Sequence, residues 1–280
     1  MIRRTKSATA NADHSSGPFG KLTVRRPSRH GGYGWMRDNP DARDVLYAAP
    51  VMSLIAGLPA SVDLRPQCPP VYDQGQLGSC TGNAIAGAIE FDQMKEKRQV
   101  FAPSRLFIYY NERVMEGTVN SDAGAQIRDG IKSVATLGAA PESDWPYDIS
   151  KFTKRPPAKA YSDAKKDLVS SYSRVAQVLN QMQGCLAQGY PFVLGITVYE
   201  SFESDAVAKS GVVPMPGQHE KAIGGHAIVA VGYNNNKRVF ILRNSWGTSW
   251  GMKGYFTMPY EYLLDARLSS DFWTIRTVTG

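Results

Sequence analysis

Apolar residues after Ser79 recur at helical intervals. Ala84, Ile85, Ala88, Ile89 and Phe91 fall largely three or four apart, and no proline interrupts before Pro103. A second helix is predicted over residues 104–115 and a third over 126–137, closed by Gly138. A proline-rich, basic stretch at 154–158 follows, reading as a crossing between two halves. Residues 175–187 read as another helix, stopped by Gly189 and Pro191. The pattern then changes to short apolar runs at 192–198, 226–233, 239–243 and 255–258, separated by Gly and Asn turns, which predict strands. A helical half followed by a strand-rich half, without internal repeats, predicts an α+β fold and not an alternating parallel sheet.

The N-terminal region has a different character. Residues 1–30 are rich in Ser, Arg and Gly with no apolar period, and read as a disordered basic tail. Arg3, Arg4, Lys6, Lys21, Arg25, Arg26 and Arg29 stand against Asp13 alone, a net of +6 in a chain whose total is +7, so the remaining residues carry only +1. Such a tail can contact nucleic acid or an anionic surface. With aromatic stacking residues nearly absent, a solvated tail is the simpler reading. Residues 31–59 hold Tyr33, Trp35, Met36, Leu46, Tyr47, Val51, Met52, Leu54 and Ile55, which is surface worth burying but without its own periodic core. They read as an arm lying against a main body at 60–280. Within that body the helical half spans about 76–160, and the strand-rich half about 161–280 together with an extended, proline-rich approach at 60–75.

No stretch approaches the roughly 18 consecutive apolar residues of a membrane span. Residues 7–16 are polar where a secretory signal carries its apolar run, and residues 48–60 are interrupted by Pro50 and Pro59. The default expectation is therefore a cytoplasmic protein, with export by another route left open. Cys68, Cys80 and Cys185 are odd in number and lack C-x-x-C spacing, which argues against a zinc site or a secreted disulfide framework. Cys68 and Cys185 remain able to pair.

Three segments carry chemistry. Gln74-Gly75-Gln76-Leu77-Gly78-Ser79-Cys80 runs straight into the first predicted helix. A cysteine there sits among unpaired backbone N–H groups and the positive end of the helix dipole, both of which favour the thiolate. A lone cysteine at a helix start is more often an inert core residue, so a base is needed. Of the four histidines, His14 and His30 lie in the tail and His219 in a polar loop, whereas Gly224-Gly225-His226 opens an apolar strand that can hold the ring rigidly at a cleft. Downstream, Asn244-Ser245-Trp246-Gly247 supplies an amide oxygen that can accept from the imidazole and fix its tautomer, with Trp246 able to cover that bond. Each segment alone has a bland structural reading; together they do not.

In this chain order of Cys, His and Asn, the residues resemble the papain family of cysteine peptidases over roughly residues 60–280. The resemblance implies a helical left domain and a β-barrel-like right domain with a cleft between them. It implies Cys80 as nucleophile, His226 as base, Asn244 as orienter and Gln74 as oxyanion-hole donor, in a peptidase mechanism that needs no metal or cofactor. It further implies that Gly124 lies on an edge pairing with substrate backbone, and that Gly195, Gly224 and Gly225 line the second-subsite pocket, with Trp246 bordering the cleft. Small residues at those positions suggest room for a bulky apolar or aromatic side chain. No acidic residue is visible at the base, so no basic preference is expected. Leu77 stands where secreted members carry cysteine, Thr81 replaces the usual tryptophan, and Ser121-Asp122-Ala123-Gly124 stands in for Cys-Asn-Gly-Gly. These departures, and Gly34-Trp35-Met36-Arg37-Asp38 with Asp44 and Tyr47, are similar to bacterial-type members.

The arm lacks the helical pattern of the family's usual inhibitory propeptide. It is expected either to restrict the cleft, as in a zymogen, or to act as a strap on the back of the molecule. Peptide or protein substrates are the expected partners. Competing readings are an acyl transferase or ligase using the same three residues, and a non-catalytic binding module.

Overall fold

A computed structural model of the chain describes residues 31–51 and 57–279; the basic tail at 1–30 lies outside the described residues. The arm contributes two short strands, β1 (Trp35–Met36) and β2 (Leu46–Tyr47). Then come β3 (Ser61–Asp63), the helices α1 (Cys80–Lys95) and α2 (Arg105–Glu116), strand β4 (Ala125–Gln126) and helix α3 (Ile127–Leu137). Next are α4 (Ala158–Ala164), β5 (Leu168–Val175), α5 (Leu179–Ala187), β6 (Phe192–Tyr199), α6 (Asp205–Ser210) and β7 (Ala222–Asn234). The chain closes with β8 (Val239–Arg243), β9 (Tyr255–Pro259), α7 (Tyr260–Leu264) and β10 (Ser269–Thr279). This is the expected α+β class.

Local chemistry sets the helix ends. The Ser104 hydroxyl accepts from the Phe107 amide at the start of α2, and Gly117 closes that helix in the left-handed conformation. Helix α1 is buried along fourteen of its sixteen residues, the pattern of a central helix and not of a surface one. Its glycines permit this: a Cβ on Gly82 would come within 2.8 Å of the Arg105 carbonyl of α2.

The eight-stranded sheet runs in the order β2-β5-β10-β6-β7-β8-β9, with β3 added to β7. Its apolar face buries Phe192, Phe240, Phe256, Trp273 and the neighbouring Tyr260, in one core that includes α1. Arg243, from β8, ties the two halves together. Its guanidinium donates to the carbonyls of Pro69 and Pro70, stacks 5.3 Å from the Tyr72 ring, and lies against Gly87 of α1.

Two strands depart from the expectation. Residues 168–175 form β5, so Val175 ends a strand and the following helix begins only at Leu179. Strand β10 was not foreseen either. Serines and a mixed burial pattern hide the period of β5, while register shifts along β10, with Asp271 at φ +60°, break the alternation there. Helix α7, at five residues, is too short to show a period.

Candidate active site

Cys80 is the first residue of α1 and fully buried. The loop before it is pinned from several directions. The Gly78 amide donates to the Asp122 carboxylate, which also accepts from the Tyr109 hydroxyl at 2.5 Å. The Tyr147 hydroxyl reaches Ser79 Oγ at 2.5 Å and the Gln74 carbonyl at 2.9 Å. Beneath the helix start, Thr81 donates to the buried Glu112 at 2.6 Å. Gln74 is itself held by Ser245, whose hydroxyl donates to Oε1 at 2.6 Å, leaving the side-chain amide aimed along the loop.

His226 lies in β7 beside β6 and is fully buried. Its Nε2 meets Asn244 Oδ1 at 2.8 Å, and the indole of Trp246 covers the ring with centroids 4.9 Å apart. Among the described residues Nδ1 has no hydrogen-bond partner. The next residue, Ala227, presents its backbone to the Cys80 sulfur, so thiol and imidazole lie on facing elements. Burial pushes the Cys80 thiol up to about 12, against the opposing pull of the Ala227 and Gly34 backbone. Burial likewise lowers His226 to about 4, although the Asn244 bond and the Glu203 charge act the other way.

The arm lies against the loop that precedes Cys80. The Gly32 carbonyl accepts from Gln74 Nε2 at 2.9 Å, and the Gly32 amide donates to Gly75 at 3.0 Å. The Gly34 amide donates to Gly225 at 3.0 Å, and the Gly34 carbonyl accepts from Ala125 at 2.7 Å, beginning the parallel pairing of β1 with β4. The approach is so close that a Cβ on Gly34 would stand 1.6 Å from the Gly78 carbonyl oxygen. Gly124, at φ +78°, faces the Gly34 backbone, so the edge expected to pair with substrate pairs here with the arm.

Two aromatic side chains descend from the arm. Tyr33 lies 6.1 Å from both His226 and Trp246, against Gly224, and its hydroxyl donates to Glu203. Trp35 occupies the space over Gly195 and Gly225, and its indole N–H donates to Asp271 at 3.1 Å. Asp271 beside it corrects the expectation of no acid at the base of that pocket. Asp271 arrives from β10, far along the chain from Gly195, and also accepts from the Asp38 amide and from Arg174. Sequence reasoning missed Asp271, Glu203 and Tyr109, whereas Ser245 and Asp122 stood inside motifs that were singled out but were given no role of their own.

All three cysteines are free, so Cys68 and Cys185 do not pair. Among the described residues no cluster of His, Cys, Asp or Glu could hold a metal ion, and no helix is long and apolar enough to cross a membrane.

Comparison with known proteins gives a consistent result. Residues 58–263 match the family model described as papain family cysteine protease. The crystal structure of xylellain, a cysteine protease from Xylella fastidiosa, superposes with a TM-score of 0.84 at 45% identity, covering 91% of this chain and 99% of that one. A peptidase C1-like protein of Acanthamoeba polyphaga mimivirus is 44% identical over 88% of this chain and 87% of its own length. Cysteine proteinase 1 of Entamoeba histolytica is 30% identical over 72% of this chain and 64% of that protein. The chain belongs to the papain family of cysteine proteases.

Proposed function

We propose that this cysteine peptidase cleaves internal peptide bonds through Cys80, His226 and Asn244, and that its own residues 31–36 restrain it by lying in the cleft. The observation that carries this reading is the bond from Gln74 Nε2 to the Gly32 carbonyl. The donor suited to an oxyanion is engaged by an arm peptide at the nucleophile.

With the arm displaced, water reaches Cys80 and His226. Hydration lowers the thiol and raises the imidazole from their buried values, favouring transfer of the thiol proton to His226. The thiolate attacks the substrate carbonyl, forming a C–S bond while the carbonyl electrons move onto oxygen. Gln74 Nε2 and the Cys80 backbone N–H hold that oxyanion. The imidazolium, kept in its tautomer by Asn244, passes its proton to the amine as the C–N bond breaks. Water, giving its proton to His226, then hydrolyses the thioester.

The test is cleavage of an internally quenched peptide under reducing conditions by the full-length chain, its Gly34→Ala variant, and each of these with Cys80→Ala. Hydrolysis that disappears with Cys80→Ala is expected in both backgrounds. Hydrolysis surviving that substitution would overturn the reading. So would product that forms chiefly by transfer to an added amine.

A further inference from the structure

Glu112 is a fully buried acid beneath the nucleophile, and the mechanism above makes no use of it. It lies on α2 where that helix meets α1 and α3. Its Oε2 accepts at 2.6 Å from the hydroxyl of Thr81, the residue that follows Cys80. Among the described residues its Oε1 has no hydrogen-bond partner. That oxygen stands in space left by Gly130 of α3, where a Cβ would lie 2.4 Å from it. The guanidinium of the adjacent Arg113 is turned to the carbonyls of Val119, Ser121 and Phe152. The other charged groups acting on Glu112, Glu116 of α2 and Asp129 of α3, are themselves acids. A buried carboxylate with one bare oxygen and no ion-pair partner is costly, so this carboxyl keeps its proton.

We propose that Glu112 is a positioning residue for Cys80: as a neutral acid it anchors the first turn of α1 through Thr81, and as a carboxylate it disfavours the thiolate and so sets the alkaline limit of the enzyme. This rests on the peptidase reading above. The first turn of α1 presents unpaired N–H groups and the positive end of the helix dipole, both of which favour a thiolate at Cys80. A negative charge bonded to the next residue opposes that field, and the Glu112 charge does act on Cys80 in this direction. With the proton in place the Thr81 bond remains and the opposition disappears. The arrangement thus keeps a firm anchor under the nucleophile without charging its surroundings.

The influence is mutual. Forming the thiolate makes Glu112 harder to ionise by the same free energy that ionised Glu112 takes from the thiolate. Burial first, and then the charges of Glu116 and Asp129, push Glu112 up to about 8, while the Thr81 bond and Arg113 pull it down. Below that value the negative charge at the head of α1 belongs to sulfur, paired with the His226 imidazolium. Above it the two groups compete. The folded value lies above the ordinary glutamate value of about 4.3. The stability gained from the protonated acid is therefore complete below about 4.3 and is lost as pH rises through about 8.

The experiment uses the full-length Gly34→Ala chain and the same chain carrying Glu112→Gln, Thr81→Val or both. Glu112→Gln keeps an acceptor for Thr81 but cannot ionise. Two rates are followed across the pH range: kcat/KM for one peptide, and alkylation by iodoacetamide, read at Cys80 alone by peptide mapping. Dividing the Glu112→Gln rate by the parent rate cancels the titration of His226 and of the arm. The ratio should stay level below about pH 7 and rise by about threefold to tenfold between about pH 8 and 9.5. A packing defect scales the whole profile instead, and a level ratio overturns the inference. Thr81→Val withdraws the donor to the carboxylate, so it should move the alkaline limb the same way and add nothing once Glu112→Gln is present. A shift that persists in the double variant overturns the assignment to Glu112. Thermal melts of the native chain and its Glu112→Gln variant give a second reading that needs no activity. The native chain should lose melting temperature relative to the variant from about pH 4 to about pH 8 and no further. A difference independent of pH overturns the inference, because Glu112 would then be charged throughout. Peptides left uncut while alkylation shows the expected rise overturn the peptidase reading and support the control of Cys80 by Glu112.

Discussion

Gly34 shows how much a single missing methyl group permits. Its backbone bonds to Gly225 on one side and Ala125 on the other, and it reaches the nucleophile loop so closely that a Cβ would overlap the Gly78 carbonyl at 1.6 Å. That neighbour is backbone fixed by Asp122 and cannot swing aside as a side chain can. Gly34→Ala should therefore lift the arm while leaving the catalytic body intact. The expected outcome is a rise in kcat/KM of about tenfold or more, with the melting temperature lowered only slightly. Steady-state rates beside a thermal melt check it; an unchanged rate at unchanged stability would show that the arm does not restrain the enzyme. A related expectation concerns Tyr33→Phe, which keeps the ring but removes the donor to Glu203. It should raise the rate less than Gly34→Ala, and the rise should vanish when Glu203→Leu, which offers no acceptor, is already present, because the lost bond is then shared. At this scale the sequence was informative where chemistry demands particular residue types at short range. His226 and Asn244 do meet, and Gln74 does stand beside the Cys80 loop. Glu203 and Asp271 were illegible for a physical reason. Each is an acid in a polar stretch, and only the tertiary fold carries it beneath an aromatic ring from the arm.

The arm is held at the element scale by more than the pairing of β1 with β4. Just beyond β1, the Asp38 carboxylate accepts from the Arg128 amide at 3.0 Å and from the Trp273 indole at 2.8 Å, while its own amide donates to Asp271. Arg128 from α3, Asp271 from β10, and Arg174 from β5 with Asp44 from the arm are the charges gathered around it. Burial first, and then the Asp271 charge, push Asp38 up to about 7. In a displaced arm Asp38 returns to the ordinary carboxylate range near 3.9. The docked arm therefore holds the proton more tightly than the free arm. This contribution to docking is complete below the free value and is lost as pH rises through about 7. Asp271 is raised as well, in the same sense. The native chain should accordingly open with rising pH. The measurement is the rate of the native chain divided by that of Asp38→Asn, a ratio in which the titration of the catalytic groups cancels. It should climb between roughly pH 4 and 7, and a flat ratio would remove Asp38 from control of the arm. The same elements mark the limits of pattern reading. The three helices α1, α2 and α3 stand out through long periodic runs. By contrast β5 is a largely polar strand and β10 an apolar one broken by bulges, and their pairing joins segments about 100 residues apart, which no local period reports.

For the molecule as a whole, the arm does two physically different things along its length. Residues 31–36 fill the cleft, making their contacts with groups that would otherwise meet water or substrate. Residues 41–49 are integral to the fold, with Asp38 as the latch between the two parts. Asp44 forms ion pairs with Arg128, whose side chain is only 5% exposed, and with Arg174 at 3.0 Å, while β2 extends the sheet beside β5 and the Ala49 amide donates to Gln181 on α5. On the proposed function, restraint and strap are successive parts of one segment, and truncation should separate them. Removing residues 1–36 should activate the enzyme at a smaller cost in stability, because Glu203 and Asp271 each lose one hydrogen-bond donor while the Asp44 ion pairs are kept. Removing residues 1–58 takes Asp38 and Asp44 together and leaves Arg128 buried without its carboxylate, a change of about 3–5 kcal/mol for a broken buried pair. In a body of this size that corresponds to a melting temperature lower by about 6–20 °C. Activity should then be high only at low temperature and short times. Melting curves and initial rates for the two truncations decide the matter: equal stability would show that the Asp44 pairs contribute nothing to the body, and activation by the longer truncation alone would move the restraint from the cleft residues to those that follow them.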